Sequence, residues 1–284
     1  MKKIFTLSLL ILSFSLSNSI NSQWVYTNGP YGGTIQGLAS IGSTIFAGTQ
    51  GGGVYISNDN GASWTRSVNG ISATNIYCFA VSGSNIFAGA YGGVFLSANN
   101  GTSWTPVNSG LSSNQVNALT ASGTNLFAGT TDGVFFSSNS GTSWVHAANG
   151  LPAQSFVVAV TISGSAVLAD VFGNGMFMST DNGANWTPTS NGLTTIYMTS
   201  FTVSGGNTFA GGQSTGGGVF LSVNNGTSWT PVNNGLTNIN ILSLSSNGSN
   251  IYAGTTTGVF LSTNNGGSWS PVNSDSPLRM FFHF

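Results

Sequence analysis

The sequence predicts an all-β fold, a β-propeller of six four-stranded blades or an incomplete seven-bladed ring, on three observations. Tryptophans recur at positions 24, 64, 104, 144, 186, 229 and 269, with gaps of 40, 40, 40, 42, 43 and 40 residues. Each interval carries the same short apolar runs, separated by Gly, Asn and Ser turn signals. No stretch of useful length shows the apolar spacing of a helix.

The elements of a unit follow in order. The first run, for example Gln115 to Ala121, is rich in β-formers and holds a small residue at one position: Gly37, Cys78, Ala118, Ala159, Ser200 and Ser243. Beside these stand the larger Leu38, Phe79, Leu119, Val160, Phe201 and Leu244. Alternate faces of this strand therefore see different amounts of space, as expected of an innermost strand beside a narrow axis. Cys78 reads accordingly as a small core residue. The second run is Ile45-Phe46-Ala47-Gly48 and its counterparts, with Asp170 in place of the final glycine in the fourth unit. The third begins Gly53-Val54-Tyr55, and the fourth follows the tryptophan. Four short strands in about 40 residues form a propeller blade, whereas a parallel β-helix repeats at a much shorter period.

Composition narrows the chemistry. The 284 residues are 3% charged and 40% hydrophobic, with 41 glycines, one cysteine and no glutamate. One cysteine excludes an internal disulfide framework and a cysteine-clustered zinc site. Four basic residues, Lys2, Lys3, Arg66 and Arg279, exclude a protein that neutralises many nucleic-acid phosphates. No cofactor is indicated. His146 has no His, Cys, Asp or Glu at ligand spacing, so no metal site is expected.

Residues 1–22 read as a secretory signal peptide: Lys2 and Lys3, an apolar run from Ile4 to Leu16, then small polar residues to Ser22. The apolar run is shorter than the roughly 20 residues that span a bilayer, and no later segment comes closer. Export to the extracellular space, cell surface or periplasm is the expectation, with no membrane span once the signal is removed. Cys78 lies too far downstream to carry a lipoprotein anchor. Without the signal, two arginines face five aspartates. Residues 23–274 then form the propeller, and 275–284 an aberrant tail. Trp24-Val25-Tyr26 is a surplus seventh tryptophan strand, expected either to start a blade that other strands complete or to lie as an extra edge strand.

The third strand of each unit leads into a box, Ser57-Asn58-Asp59-Asn60-Gly61-Ala62-Ser63-Trp64 in the first. The others run from Ser97, Ser137, Ser179, Ser222 and Ser262 to the next tryptophan. These six segments resemble the Asp-box, or BNR repeat, of pattern Ser-x-Asp-x-Gly-x-Ser/Thr-Trp. The resemblance covers nearly the whole chain after the signal. It is shared by sialidases, xyloglucanase-like glycosidases, sortilin-type receptor domains and photosystem II assembly factors, so it implies the blade and little about function. The third box position is Asp59, Asn99, Asn139, Asp181, Asn224 and Asn264. A side-chain oxygen there is expected to accept from backbone amides two residues on, which an amide does as well as a carboxylate. Calcium needs anionic oxygen that four of the six boxes lack.

Resemblance to sialidases implies three arginines, a tyrosine nucleophile with a glutamate, and an acidic donor; without glutamate and with Arg66 and Arg279 alone, that constellation does not carry over. Other glycosidases need two carboxylates across the scissile bond. Asp132 and Asp170 are the only candidates outside the boxes within the blades. Asp132 is explained by a Thr131-Asp132-Gly133 turn. Asp170 is the outlier, in a fourth unit that is irregular throughout.

Loops between second and third strands, with those joining blades, are expected on one rim and the boxes on the other. The former vary most between units, giving Gln50, Tyr91, Asp132, Asp170, Phe172, Asn174, Gln213 and Thr256 as candidate binding residues. Either that face is shaped for recognition or nothing constrains it. The reading is an exported, non-catalytic binding or scaffold propeller for a polar protein or glycan, with a glycan hydrolase using Asp170 or Asp132 as the alternative. Scarce charge rules out strong electrostatic steering.

Overall fold

The computed structural model describes residues 29–272. Signal segment 1–22, Trp24 and tail 275–284 lie outside the described residues. Within them the chain forms six sheets, each an antiparallel meander of four strands in sequence order. Blade 1 comprises β1 (Ile35–Ile41), β2 (Thr44–Thr49), β3 (Gly53–Ser57) and β4 (Thr65–Ser67); blade 2 comprises β5 (Ile76–Ser82), β6 (Asn85–Ala90), β7 (Gly93–Ser97) and β8 (Thr105–Pro106). Blade 3 holds β9 (Val116–Ser122), β10 (Asn125–Thr130), β11 (Gly133–Ser137) and β12 (Val145–His146); blade 4 holds β13 (Val157–Ser163), β14 (Ala166–Val171), β15 (Gly175–Ser179) and β16 (Thr187–Pro188). Blade 5 follows with β17 (Met198–Ser204), β18 (Asn207–Gly212), β19 (Gly218–Ser222) and β20 (Thr230–Pro231); blade 6 has β21 (Ile241–Asn247), β22 (Asn250–Thr255), β23 (Gly258–Ser262) and β24 (Ser270–Pro271). The molecule is a six-bladed β-propeller with β1, β5, β9, β13, β17 and β21 innermost.

The blades stack because their strands are apolar on both faces. Phe46 of blade 1 packs among Ile76, Ile86, Ala88 and Phe95 of blade 2. Phe87 of blade 2 does the same with Leu126, Ala128 and Phe135 of blade 3. Each such buried side chain contributes about 1.5–3 kcal/mol of transfer free energy.

The outer strands are very short, and the tryptophans supply the hold they lack. The backbone N–H groups of Trp104, Trp144, Trp186, Trp229 and Trp269 donate to carbonyls of the preceding unit, Asn69, Ser109, Asn149, Asn191 and Asn234. The indole of Trp186 then donates to Ala147 O at 2.8 Å and that of Trp269 to Val232 O at 2.7 Å. Tryptophan is thus a clasp between blades.

Every inner strand carries one bulge, at Gln36, Tyr77, Asn117, Val158, Thr199 and Leu242. Each sits immediately before the small residue. The bulge turns that side chain out of the interblade layer, since one inserted residue breaks the alternation of faces. The small residues are held small by the neighbouring blade as much as by the axis: a Cβ on Gly37 would lie 3.1 Å from Tyr77 O.

The circle is not packed uniformly. Successive inner strands pack against each other from β1 through β21, but β21 and β1 share no comparable packing. Ile35, Ile45, Tyr55 and Trp64 of blade 1 are partly exposed, while Ile76, Ile86, Phe95 and Trp104 at the same places in blade 2 are buried.

Candidate functional site

The two rims differ in kind. One carries the boxes, whose geometry repeats six times. In the first, Ser57 Oγ donates to Asp59 Oδ1 at 2.8 Å and accepts from Gly61 N at 2.8 Å. Asp59 Oδ1 also accepts from Ser63 N at 2.8 Å. The donating amide therefore lies four residues on, where the sequence reading placed it two on. The turn needs two consecutive left-handed residues, Asn60 at φ 57° and Gly61 at 88°, which Asn and Gly tolerate best.

Asn replaces Asp without loss because the partner is a serine hydroxyl. Asp59 Oδ2 accepts from Ser63 Oγ, whereas Asn99 Nδ2 donates to Ser103 Oγ at 2.9 Å. A hydroxyl serves either way. These bonds also hold the Asp59 and Asp181 carboxyls below the usual carboxylate range, with the Ser63 and Asn185 side chains as the largest causes. Among the described residues no group of three His, Cys, Asp or Glu side chains could hold a metal ion.

On the other rim the β2–β3 loops and the links between blades interlock. Gly51 N donates to Thr74 O, Tyr91 N to Asn75 O, Gly133 N to Ser155 O, Phe172 N to Phe156 O and Gln213 N to Tyr197 O. Gln50 and Tyr91 additionally form isolated bridges to Asn75 and Gln115. Thr256 accepts from Asn238 Nδ2 at 2.9 Å, and Asn174 donates to Phe172 O. Asp132 is exposed, with its carbonyl taking a bond from His146 Nε2 at 2.8 Å. His146 also packs on Phe135, with ring centroids 4.9 Å apart.

Asp170 is placed beneath this rim, not on it. It is 1% exposed, and neither carboxyl oxygen has a hydrogen-bond partner. Burial pushes its carboxyl up to about 8, opposed by the Met198 backbone. Its glycine counterparts explain the anomaly: a Cβ at Gly48, Gly129 or Gly211 would come within 2.6 Å of Ile76, Val157 or Ile241. A carboxyl at this place has to wedge between blades, and β13 and β17 indeed pack less than any other successive pair of inner strands. As a surface contact or an exposed catalytic acid, Asp170 is not positioned.

Two concavities stand out among the described residues. The central channel encloses about 870 Å³ and is lined by all six bulged residues, Gln36, Tyr77, Asn117, Val158, Thr199 and Leu242. Asn117 Nδ2 is tied to Val157 O at 3.0 Å and Thr199 Oγ1 to Ile241 O at 2.8 Å, so part of the lining is fixed by the next blade. A groove of about 410 Å³ lies by the link between blades 4 and 5, bordered by Ser190, Thr195, Ile196, Tyr197, Ser214 and Thr215 among others. Sequence reasoning missed both sets. The signal for the channel was available, as the residue preceding the small position in every inner strand.

Fold and rims define a β-propeller with one constant and one variable face. Comparison with known proteins agrees on the fold. The DUF6242 beta propeller domain matches residues 41–174. No curated protein matches the sequence. Among solved structures, the chain is similar to the extracellular domain of BT4673 from B. thetaiotaomicron, described as a one component system, with TM-score 0.65 and 17% identity. That match covers 80% of this chain and 32% of the other, so the chain spans about a third of its length. An ancestral GH74 enzyme is similar at TM-score 0.66 and 18% identity, over 84% of this chain and 38% of that one. YCF48 from Cyanidioschyzon merolae is similar at TM-score 0.62 and 14% identity, over 86% of each. No helix among the described residues is long and apolar enough to cross a membrane.

Proposed function

We infer that the protein is an exported, non-catalytic β-propeller that binds or scaffolds a polar protein or a glycan through the rim of β2–β3 loops and interblade links. One observation carries this reading: side chains vary from blade to blade on that rim, while the box rim repeats the same hydrogen bonds six times. A scaffold held constant beneath a variable face is how repeat proteins present recognition surfaces. The boxes are read as Asp-boxes with a structural task, and residues 1–22 as the export signal. The fold neighbours include an extracellular domain, an enzyme and YCF48, so the fold is compatible with binding and does not specify a ligand.

The absence of catalysis rests on the carboxylates: Asp170 is buried, and Asp132 sits exposed on a turn of another blade. Purified protein assayed on a panel of chromogenic glycosides should show no turnover above blank. Turnover that disappears in Asp170→Asn or Asp132→Asn overturns the reading.

A further inference from the structure

The rim is not uniform around the circle. The residue just before the inner strand is Asn75, Gln115, Phe156, Tyr197 and Asn240 in blades 2 to 6. Phe156 and Tyr197 are therefore aromatic where other blades carry an amide, and Phe172 from the β14–β15 loop stands between them. Phe156 and Phe172 meet edge to face at 6.2 Å, and Phe172 and Tyr197 at 5.9 Å. All three remain open to solvent, with Phe172 61% exposed. Water-exposed rings in contact leave a patch that is unfavourable unless covered.

The patch also joins the two concavities. Phe156 lines the mouth of the channel, and Tyr197 borders the groove. The groove is preformed: Thr195 Oγ1 donates to Gln213 O at 3.0 Å, and Ser214, at φ 68°, is fixed by the Asn240 amide through its backbone N–H. Its border is hydroxyl and apolar, with no ionisable side chain other than Tyr197.

We propose that this track, from the channel mouth over Phe156, Phe172 and Tyr197 into the groove between blades 4 and 5, binds a linear neutral polysaccharide. The proposal rests on the binding reading above and adds the ligand class and the sector. Pyranose rings present an apolar C–H face that stacks on an aromatic ring, and hydroxyls that pair with Ser, Thr and backbone groups. A preformed, uncharged site matches that chemistry. Acidic glycans find no cation there: among the described residues the one arginine, Arg66, belongs to β4 of blade 1, no lysine occurs, and His146 belongs to β12 of blade 3.

The test is affinity electrophoresis of the full chain through gels containing neutral hexose and pentose polymers, with polyanionic polysaccharides in parallel. At least one neutral polymer should retard the protein, to an extent unchanged between about 0.05 and 0.5 M salt. Phe172→Ala and Tyr197→Ala should each weaken that retardation about tenfold or more, the equivalent of one lost stacking contact and its burial. Both side chains are exposed enough for thermal melts to verify folding. Val223→Ala, at an exposed apolar side chain of the opposite, box-bearing rim, should bind as the parent does. Retardation by polyanions alone, by no neutral polymer, or undiminished in Phe172→Ala overturns the proposal. A partner lost in Tyr91→Ala or Gln50→Ala but kept in Phe172→Ala overturns it while leaving the rim as a binding face. Hydrolysis of a bound neutral polymer leaves the ligand class standing and overturns the non-catalytic function.

Discussion

The indole Nε1 of Trp144 donates to the carbonyl of Val107, 37 residues earlier in the preceding blade, at 2.7 Å. The same clasp closes at Trp186 and Trp269, while among the described residues Trp64 donates to Gly61 O of its own turn at 3.1 Å. Trp229 Nε1 has no partner.

Replacing these indoles should therefore not be equivalent. Trp144→Phe removes a buried donor and strands the Val107 carbonyl, at a cost of about 1–3 kcal/mol beyond the change in packing. Trp64→Phe and Trp229→Phe should cost less, by about 1 kcal/mol or more. Midpoints of chemical unfolding of the three variants give the ranking.

Asp170 makes stability depend on pH in an unusual direction. Burial pushes its carboxyl up to about 8 in the folded state, from an ordinary value of 3.8. The protonated acid is thus favoured by folding. The native state is fully favoured below about pH 4, loses stability as pH rises toward 8, and changes no further once both states are ionised. About four pH units at 1.4 kcal/mol each give a loss on the order of 5 kcal/mol. Asp170→Asn should raise the melting temperature at pH 8 and leave it nearly unchanged at pH 4. An equal shift at both values counts against a buried, ionisable carboxyl.

The boxes should tolerate loss of charge but not loss of the first serine. Asp59→Asn is expected to unfold at nearly the same midpoint as the parent, because an amide already serves in four other boxes. Ser57→Ala should cost about 1–3 kcal/mol, since Ser57 is buried and bonded to both Gly61 N and Asp59. The lowered Asp59 carboxyl stabilises the fold above its ordinary pKa, and that contribution is lost as pH falls through the lowered value. Asp59→Asn should accordingly flatten the acid end of the stability profile slightly.

Cys78 should be chemically quiet. The residue is half-buried in the channel wall, but its Sγ lies 3.9 Å from Val116 O in the next blade, and desolvation there pushes the thiol well above its usual range. Iodoacetamide at neutral pH is expected to label the protein only after unfolding, as mass measurement would reveal. Cys78→Ala, which copies Ala118 and Ala159, should cost less than about 1.5 kcal/mol.

The repeat was legible because steric demands recur at fixed spacing: a tryptophan at each clasp, a glycine at each left-handed turn, a small residue at each inner strand. Asp170 could be picked out as an exception by the same comparison. Its burial could not, because nothing local distinguishes a rim carboxyl from one wedged between sheets. The bulges were invisible to a reading by alternation, since one inserted residue reverses which side faces the channel. Phe156, Phe172 and Tyr197 come from two blades, and only the folded circle brings them together.

The unequal junction between β21 and β1 has a mechanical corollary. A uniformly sealed ring offers no preferred place to fray, but blades that, among the described residues, pack chiefly on their sequence neighbours have two looser margins, as a linear repeat array does. Amide protons of blades 1 and 6 should exchange with solvent deuterium earlier than those of blades 3 and 4, so the molecule would come undone like a fan opening from its outer ribs.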